Sequence, residues 1–119
     1  MIWIRLGSVL MFLGVALGAF GAHALKDALS QEGKAVYQTA VLYHFVHGLA
    51  LLAVGWLAVL KPREPLIDRA GWAFVIGIVL FSGSLYLLAV TGAKTLGMIT
   101  PLGGLAFLLG WLCVAVAAR

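Results

Sequence analysis

Four long runs of residues without a charged side chain constrain this chain more than any other feature. They cover residues 6–25, 35–60, 70–90 and 98–118, and short polar stretches separate them. A helix needs about 20 apolar residues to cross a bilayer, whereas a barrel strand needs only about ten. The runs therefore predict an all-α integral membrane four-helix bundle, with residues 1–119 forming a single transmembrane domain.

The composition supports solvation by lipid. Hydrophobic residues make up 64% of the chain and charged residues 10%, and the mean hydropathy is +1.12. That leaves too little polar surface to coat a soluble globule, so the lipid bilayer is the expected partner. The net charge of +4 needs only anionic lipid as its counterpart, and we expect no nucleic acid.

Lysine and arginine counts in the short loops predict the orientation. If the N-terminus is cytoplasmic, five basic residues lie on the cytoplasmic side and three on the other. The first group is Arg5, Lys61, Arg63, Arg69 and Arg119; the second is Lys26, Lys34 and Lys94. This asymmetry favours a topology with both termini inside.

The positions of the aromatic residues agree with the predicted spans and their orientation. The tryptophans fall near the predicted cytoplasmic ends and the tyrosines in the opposite half, as interfacial belts would place them. The tryptophans are Trp3, Trp56, Trp72 and Trp111; the tyrosines are Tyr37, Tyr43 and Tyr86.

One alternative affects the first span. Arg5, the following apolar run and the Ala22-His23-Ala24 triplet resemble the parts of a cleaved signal peptide. The apolar run is long for such a segment, so we favour a retained span.

The largest polar segment, residues 26–38, lies between the first two spans. Ser30 is a predicted N-cap for the second helix, because a serine oxygen can accept from a free amide in the first turn. A solvated start of the helix is the favoured interpretation, and a partner-binding loop is the alternative.

Glycines predict close helix packing. Without a hydrophobic force between helices in lipid, small residues allow the backbones to approach each other. Gly14 and Gly18 form a small-xxx-small pair in a chain with 15 glycines. The predicted packing residues are Gly14, Gly18, Gly21, Gly48, Gly55, Gly103 and Gly110. These interfaces fit one protomer or a homo-oligomer equally well.

The second and fourth spans also share a weak sequence echo. Gly-Leu-Ala followed by Gly-Trp-Leu occurs from Gly48 and again from Gly104, with a one-residue offset. The echo is consistent with a duplicated helical hairpin, and also with chance in an apolar sequence.

Polar side chains inside the spans are the best functional lead, because polar groups in hydrocarbon are costly. We expect them to cluster between the helices in the outer half of the membrane. The candidate cluster is His23, Tyr43, His44, His47, Ser84, Tyr86 and Thr100.

Only a few kinds of chemistry are available to this cluster. Histidines on neighbouring helices could ligate haem or a metal, or bind a quinone, but the favoured interpretation is hydrogen bonding between helices. No carboxylate lies within the spans, which removes an acid-base pair, and Ser82 and Ser84 have no acidic partner for a triad. We expect no catalytic residue, no metal site and no cofactor.

Four motifs carry a resemblance to a known family. They are residues 18–25 (GAFGAHAL), 43–52 (YHFVHGLALL), 81–86 (FSGSLY) and 99–104 (ITPLGG). Their order and spacing resemble the YgdD-like family of small bacterial inner-membrane proteins, a domain of unknown function related to a eukaryotic transmembrane group. The resemblance implies a multi-pass protein of the bacterial plasma membrane, and it supplies no site residues.

These observations support two classes of function. The favoured hypothesis is a non-enzymatic structural or partner-binding membrane component, self-associating or part of a larger complex, that affects envelope integrity. The alternative is a small oligomeric transporter or channel, with the polar cluster as an outer vestibule.

Overall fold

The computed structural model describes residues 1–119 as four long helices without a strand. Helix α1 spans Ile2–His23, α2 spans Gln31–Leu60 and α3 spans Pro65–Thr91. A short 3-10 helix, Lys94–Met98, precedes α4, which spans Thr100–Ala117. Four helical segments are long and apolar enough to cross a membrane, the last counted from Lys94. The predicted all-α, four-span architecture is confirmed.

Among the helices that begin earlier than the apolar runs suggested, α2 and α3 do so because polar caps start them. The hydroxyl oxygen of Ser30 accepts a hydrogen bond of 3.0 Å from the Gly33 amide, so α2 begins at Gln31 and its N-cap is the predicted one. The carboxylate of Glu64 accepts 3.2 Å from the Leu66 amide, with Pro65 at the first position of α3.

Helix α3 changes its hydrogen-bonding pattern near its middle. Residues Ile78–Ser82 form a π-helix, in which the Gly83 amide donates to the Ile78 carbonyl five residues back. The α-helical parts Pro65–Gly77 and Gly83–Thr91 flank it. A π segment holds extra residue length in one turn and rotates the rest of the helix around its axis. The sequence predicted this span as a helix and did not indicate the π segment within it.

The helices pack in an unequal way. α1 packs on α2 and α4 packs on α3, while α2 and α3 form the central contact. The bundle is correspondingly flat, measuring 48 × 26 × 17 Å. Leu51, Val54 and Phe74 are fully buried between the helices, and most of the surfaces of α1 and α4 face outward.

In the first hairpin, α1–α2, side chains of α1 lie over two glycines of α2. A Cβ atom on Gly55 would lie 2.6 Å from Ile4, and a Cβ atom on Gly48 would lie 2.7 Å from the Met11 sulfur. We call Gly48 and Gly55 the α2 glycine pair. Both glycines allow this close approach of the helices.

The second hairpin, α3–α4, repeats this arrangement. Phe74 lies against Gly110, and the backbone of Phe81 lies directly against Gly103. We call Gly103 and Gly110 the α4 glycine pair. Both glycine pairs are spaced seven residues apart, and so are the α3 residues that contact the α4 pair. The remaining predicted packing glycines lie on α1 against α2: Gly14 faces Phe45, Gly18 faces Val41, and Gly21 faces Tyr37.

At the end of the bundle that holds the N-terminus, two polar contacts join the helices. The indole nitrogen of Trp3 donates to a carboxylate oxygen of Asp68 at 2.8 Å. The Lys61 ammonium group donates to the carbonyls of Ala117 and Arg119 at 2.8 and 2.9 Å, which satisfies the end of α4. Which side of the membrane this end faces stays a prediction.

The belt interpretation needs correction for two tryptophans. Trp56 and Trp72 are exposed, as lipid-facing anchors should be, but Trp3 is buried against Gly71. Trp111 directs its indole N–H towards His47, near the middle of α2. The indole N–H groups of Trp3 and Trp111 therefore bind protein, although the Trp111 side chain is still 44% exposed.

Candidate functional site

His44 is the centre of the first polar contact between the helices. It is buried on α2, and its Nε2 lies 2.7 Å from the Leu10 carbonyl of α1. Its Nδ1 lies 2.9 Å from the Tyr86 hydroxyl of α3. Because a carbonyl only accepts, Nε2 donates to Leu10. In the neutral ring, Nδ1 then accepts a hydrogen bond from the Tyr86 hydroxyl. One imidazole thus joins three helices.

Tyr37 extends this contact along α1. Its hydroxyl donates to the Leu17 carbonyl of α1, and its ring meets the Tyr86 ring edge to face at 5.1 Å. Edge-to-face pairs of aromatic rings are favourable because the ring edge is positive and the face negative. Tyr37 is therefore a member of this cluster, although its sequence position predicted only a place in an aromatic belt.

His47 forms a separate contact between α2 and α4. Its Nδ1 lies 2.8 Å from the Tyr43 carbonyl, and its Nε2 accepts from the Trp111 indole N–H at 3.0 Å. Because the indole only donates and the carbonyl only accepts, His47 is neutral with its proton on Nδ1, the opposite tautomer to His44. The ring stacks on Phe107 with 3.5 Å between centroids and an interplanar angle of 7°.

Serine hydroxyls make a third set of contacts around the π segment. The Ser82 hydroxyl donates to the Ala40 carbonyl of α2 at 2.8 Å. The Ser84 hydroxyl donates to the Phe81 carbonyl at 2.9 Å and lies 2.6 Å from the Thr100 hydroxyl of α4. The π-helical turn directs Ser82 towards α2 and Ser84 towards α4. Ser82 was considered in the sequence only as a nucleophile, and its role as an interhelical donor was missed.

The predicted cluster is therefore divided in the structure. His44 contacts Tyr86, and Ser84 contacts Thr100, while His47 binds Trp111, which was not among the candidates. Tyr43 is 40% exposed, with its ring centroid 4.5 Å from that of Phe81. His23 is exposed at the end of α1 and does not join the cluster. The functional role of these residues stays a prediction.

Hydrogen bonding within the cluster is complete. Every buried side-chain nitrogen and oxygen has a partner within the chain. Both ring nitrogens of His44 and of His47 are occupied, and no three histidine, cysteine or carboxylate side chains lie together as a metal site would require. Ligation of haem or a metal by these two histidines would first have to break interhelical hydrogen bonds.

Two grooves open sideways on the bundle, where lipid would lie. One, of about 830 Å³, runs between α2 and α4, and Tyr43, His47, Phe107 and Trp111 are among its lining residues. The other, of about 560 Å³, lies between α1 and α2, near the α1–α2 loop. Both volumes lie within the range of small-molecule sites.

Comparison with known proteins gives a consistent family result. Residues 17–104 match the model of a family described as "Protein of unknown function (DUF423)". The chain is 46% identical over 117 residues to the UPF0382 membrane protein YwdK of Bacillus subtilis, covering 98% of this chain and 95% of that protein. It is 42% identical over 116 residues to a UPF0382 membrane protein of Staphylococcus epidermidis, covering 98% and 93%. No solved structure matches the chain.

Proposed function

This chain belongs to the DUF423 family, and on that premise we propose that it is a non-enzymatic structural or partner-binding component of the bacterial plasma membrane that affects envelope integrity. It is a small integral membrane protein whose helices contact the lipid bilayer, like the UPF0382 membrane proteins that it resembles. We propose in addition that it self-associates or joins a larger membrane complex.

The complete hydrogen bonding of the buried polar groups carries this proposal. In hydrocarbon, polar side chains commonly join helices, and here no buried side-chain nitrogen or oxygen lacks a hydrogen-bond partner. A transport vestibule or an acid-base site needs polar groups that are free to meet a solute. The interhelical bonds of His44, His47, Ser82 and Ser84 instead favour a rigid scaffold.

Complementation of a gene deletion tests the proposal. We expect the deletion to increase uptake of a membrane-impermeant DNA dye in the native host, and the wild-type gene to restore exclusion. Gly103→Ala should fail to restore it, since the new Cβ would overlap Phe81 and loosen the bundle. Gly104→Ala is the matched control, because its Cβ would lie 3.8 Å from the Phe81 ring, an ordinary contact. Dye exclusion that is the same with and without the gene would reject the envelope role.

Purified protein in liposomes separates this proposal from a transporter or channel. We expect no flux of protons, potassium or small organic cations above that of empty liposomes. A flux that disappears in His47→Phe, while that variant remains folded, would reject the structural role and favour transport.

A further inference from the structure

The groove between α1 and α2 has a charged end and an apolar end. Lys26 of the loop and Lys34 of α2 line it near the membrane surface, together with Gln38. Deeper in the bundle its walls are Gly18, Val41, Phe45 and neighbouring apolar side chains. No acidic residue lines this groove, so its lining carries a formal charge of +2.

The two lysines are free to bind a ligand. Neither ammonium group forms an ion pair or a hydrogen bond within the chain. The nearby carboxylate of Glu32 lines a different groove, together with Lys94. Lys34 is the fourth residue of α2, where the positive end of the helix dipole adds to its own charge. The Lys34 ammonium group and the positive end of the helix repel each other, and an anion bound at this position would reduce that repulsion.

The glycines of α1 make the apolar part of the groove. At Gly18, a Cβ atom would lie 3.5 Å from Val41 and 3.9 Å from Phe45, so the absent side chain leaves a space beside α2. The space opens towards the bilayer, and in a membrane only lipid chains or apolar side chains are available to fill it. A ligand suited to both ends must have an anionic head and a hydrocarbon tail.

We propose that this groove binds one anionic phospholipid, with its phosphate between Lys26 and Lys34 and one acyl chain along Gly18, Val41 and Phe45. Basic pockets between membrane helices bind anionic headgroups on the cytoplasmic side, and the same chemistry applies at this end of the bundle, which is predicted to face outward. The proposal goes beyond the structural role given above and does not depend on it, because a lipid site can exist whatever the partner of the bundle is.

Native mass spectrometry of the protein in a mild detergent tests the site. The probes are dioleoyl phosphatidylglycerol, dioleoyl phosphatidylcholine and, as a source of phosphate without a tail, glycerol 3-phosphate. We expect one phosphatidylglycerol per chain at concentrations where phosphatidylcholine and glycerol 3-phosphate do not bind. Equal binding of the two lipids would reject selection by charge, and binding of glycerol 3-phosphate alone would reject a lipid site in favour of a phosphate site.

Substitution of the lysines locates the site. Each lysine near an anionic headgroup contributes about fivefold to affinity, so Lys26→Gln with Lys34→Gln should weaken phosphatidylglycerol binding about 25-fold. Lys94→Gln is the control, because this lysine lies at the same end of the bundle but lines the groove that contains Glu32. Fivefold weakening by the control, which is the same loss per lysine as in the double variant, would show a diffuse surface attraction and overturn the proposal.

Gly18 tests the acyl chain separately from the headgroup. Gly18→Leu should fill the groove and abolish the phosphatidylglycerol adduct while both lysines remain. Gly18→Ala adds only a methyl group at ordinary contact distance and should retain the adduct. Thermal unfolding of each variant confirms that the bundle is intact. Full binding by a folded Gly18→Leu protein would overturn the placement of the chain in the groove.

Discussion

The two helical hairpins pack through the same spacing of glycines but with different partner side chains. The α2 glycine pair accepts flexible aliphatic side chains, Ile4 and Met11. The α4 glycine pair accepts Phe74 and Phe81, and at Gly103 it is the Phe81 backbone itself that makes the contact. A flexible side chain can move away from an added methyl group, whereas a helix backbone cannot. The two hairpins should therefore differ in their tolerance of change.

The largest expected effect comes from adding one methyl group to each glycine pair. Gly103→Ala should lower the free energy of unfolding by about 3 kcal/mol, because the whole of α4 must shift. Gly48→Ala should lower it by about 1 kcal/mol, because the Met11 side chain can change rotamer. Unfolding in mixed micelles, followed by tryptophan fluorescence, measures both. Equal losses would show that backbone contact is not what distinguishes the hairpins.

The histidines extend the comparison, since His44 joins the first hairpin to α3 and His47 joins α2 to α4. His44→Phe should lower the free energy of unfolding by about 2 kcal/mol, because it leaves the Leu10 carbonyl and the Tyr86 hydroxyl without this partner. His47→Phe should lower it by about 1 kcal/mol, since a phenyl ring keeps the stacking on Phe107. The same unfolding assay applies, and a larger loss for His47→Phe would reverse this order.

At the end of the bundle near the N-terminus, the hydrogen bond between Trp3 and Asp68 is one of the polar contacts that connect the two hairpins. Trp3→Phe removes the donor to Asp68 but keeps an aromatic ring beside Gly71. We expect a loss of about 1 kcal/mol, as for other polar contacts between membrane helices. Trp72→Phe is the control, because Trp72 is exposed and makes only the ring contact with Trp3. A double-mutant cycle of Trp3→Phe with Asp68→Asn isolates the bond, and a coupling energy of zero would contradict it.

The smallest expected effect lies within the second hairpin. Ser84→Ala removes the hydroxyl that contacts Thr100 and should lower the free energy of unfolding by about 0.6 kcal/mol. Thr39→Ala is the matched control from the first hairpin, because the Thr39 hydroxyl is exposed and bonds only to Ala35 of its own helix. We expect no measurable loss for the control. A loss for Thr39→Ala as large as that for Ser84→Ala would mean that the contact between helices adds nothing.

Much of this fold could be predicted because lipid imposes simple rules. The charge-free runs defined the number and type of the helices, and the early starts of α2 and α3 came from Ser30 and Glu64. The seven-residue spacing of glycines pointed to helix contacts. It did not identify the partner helix, because an apolar side chain fits many neighbours and only the packed structure selects Phe81 for Gly103.

Part of the composition of the polar cluster was predictable, whereas its connections were not. His44 and His47 were identified from their cost in hydrocarbon, and they lie at i, i+3 on α2. Their contacts diverge, however, because the rotation between these positions directs one ring to α1 and α3 and the other to α4. Trp111 was missed as a partner since its position near the end of the last run suggested an interfacial role.

The π segment of α3 makes the number of residues in that turn a structural requirement. One residue turns an α-helix by about 100°. If Ile78–Ser82 were α-helical with no residue removed, the extra residue of the π turn would rotate the helix beyond it by about that angle. Ser84 would then leave Thr100, and Tyr86 would leave His44, although every one of those side chains would still be present. At this place the width of the helical turn, as much as residue identity, decides which side chains meet.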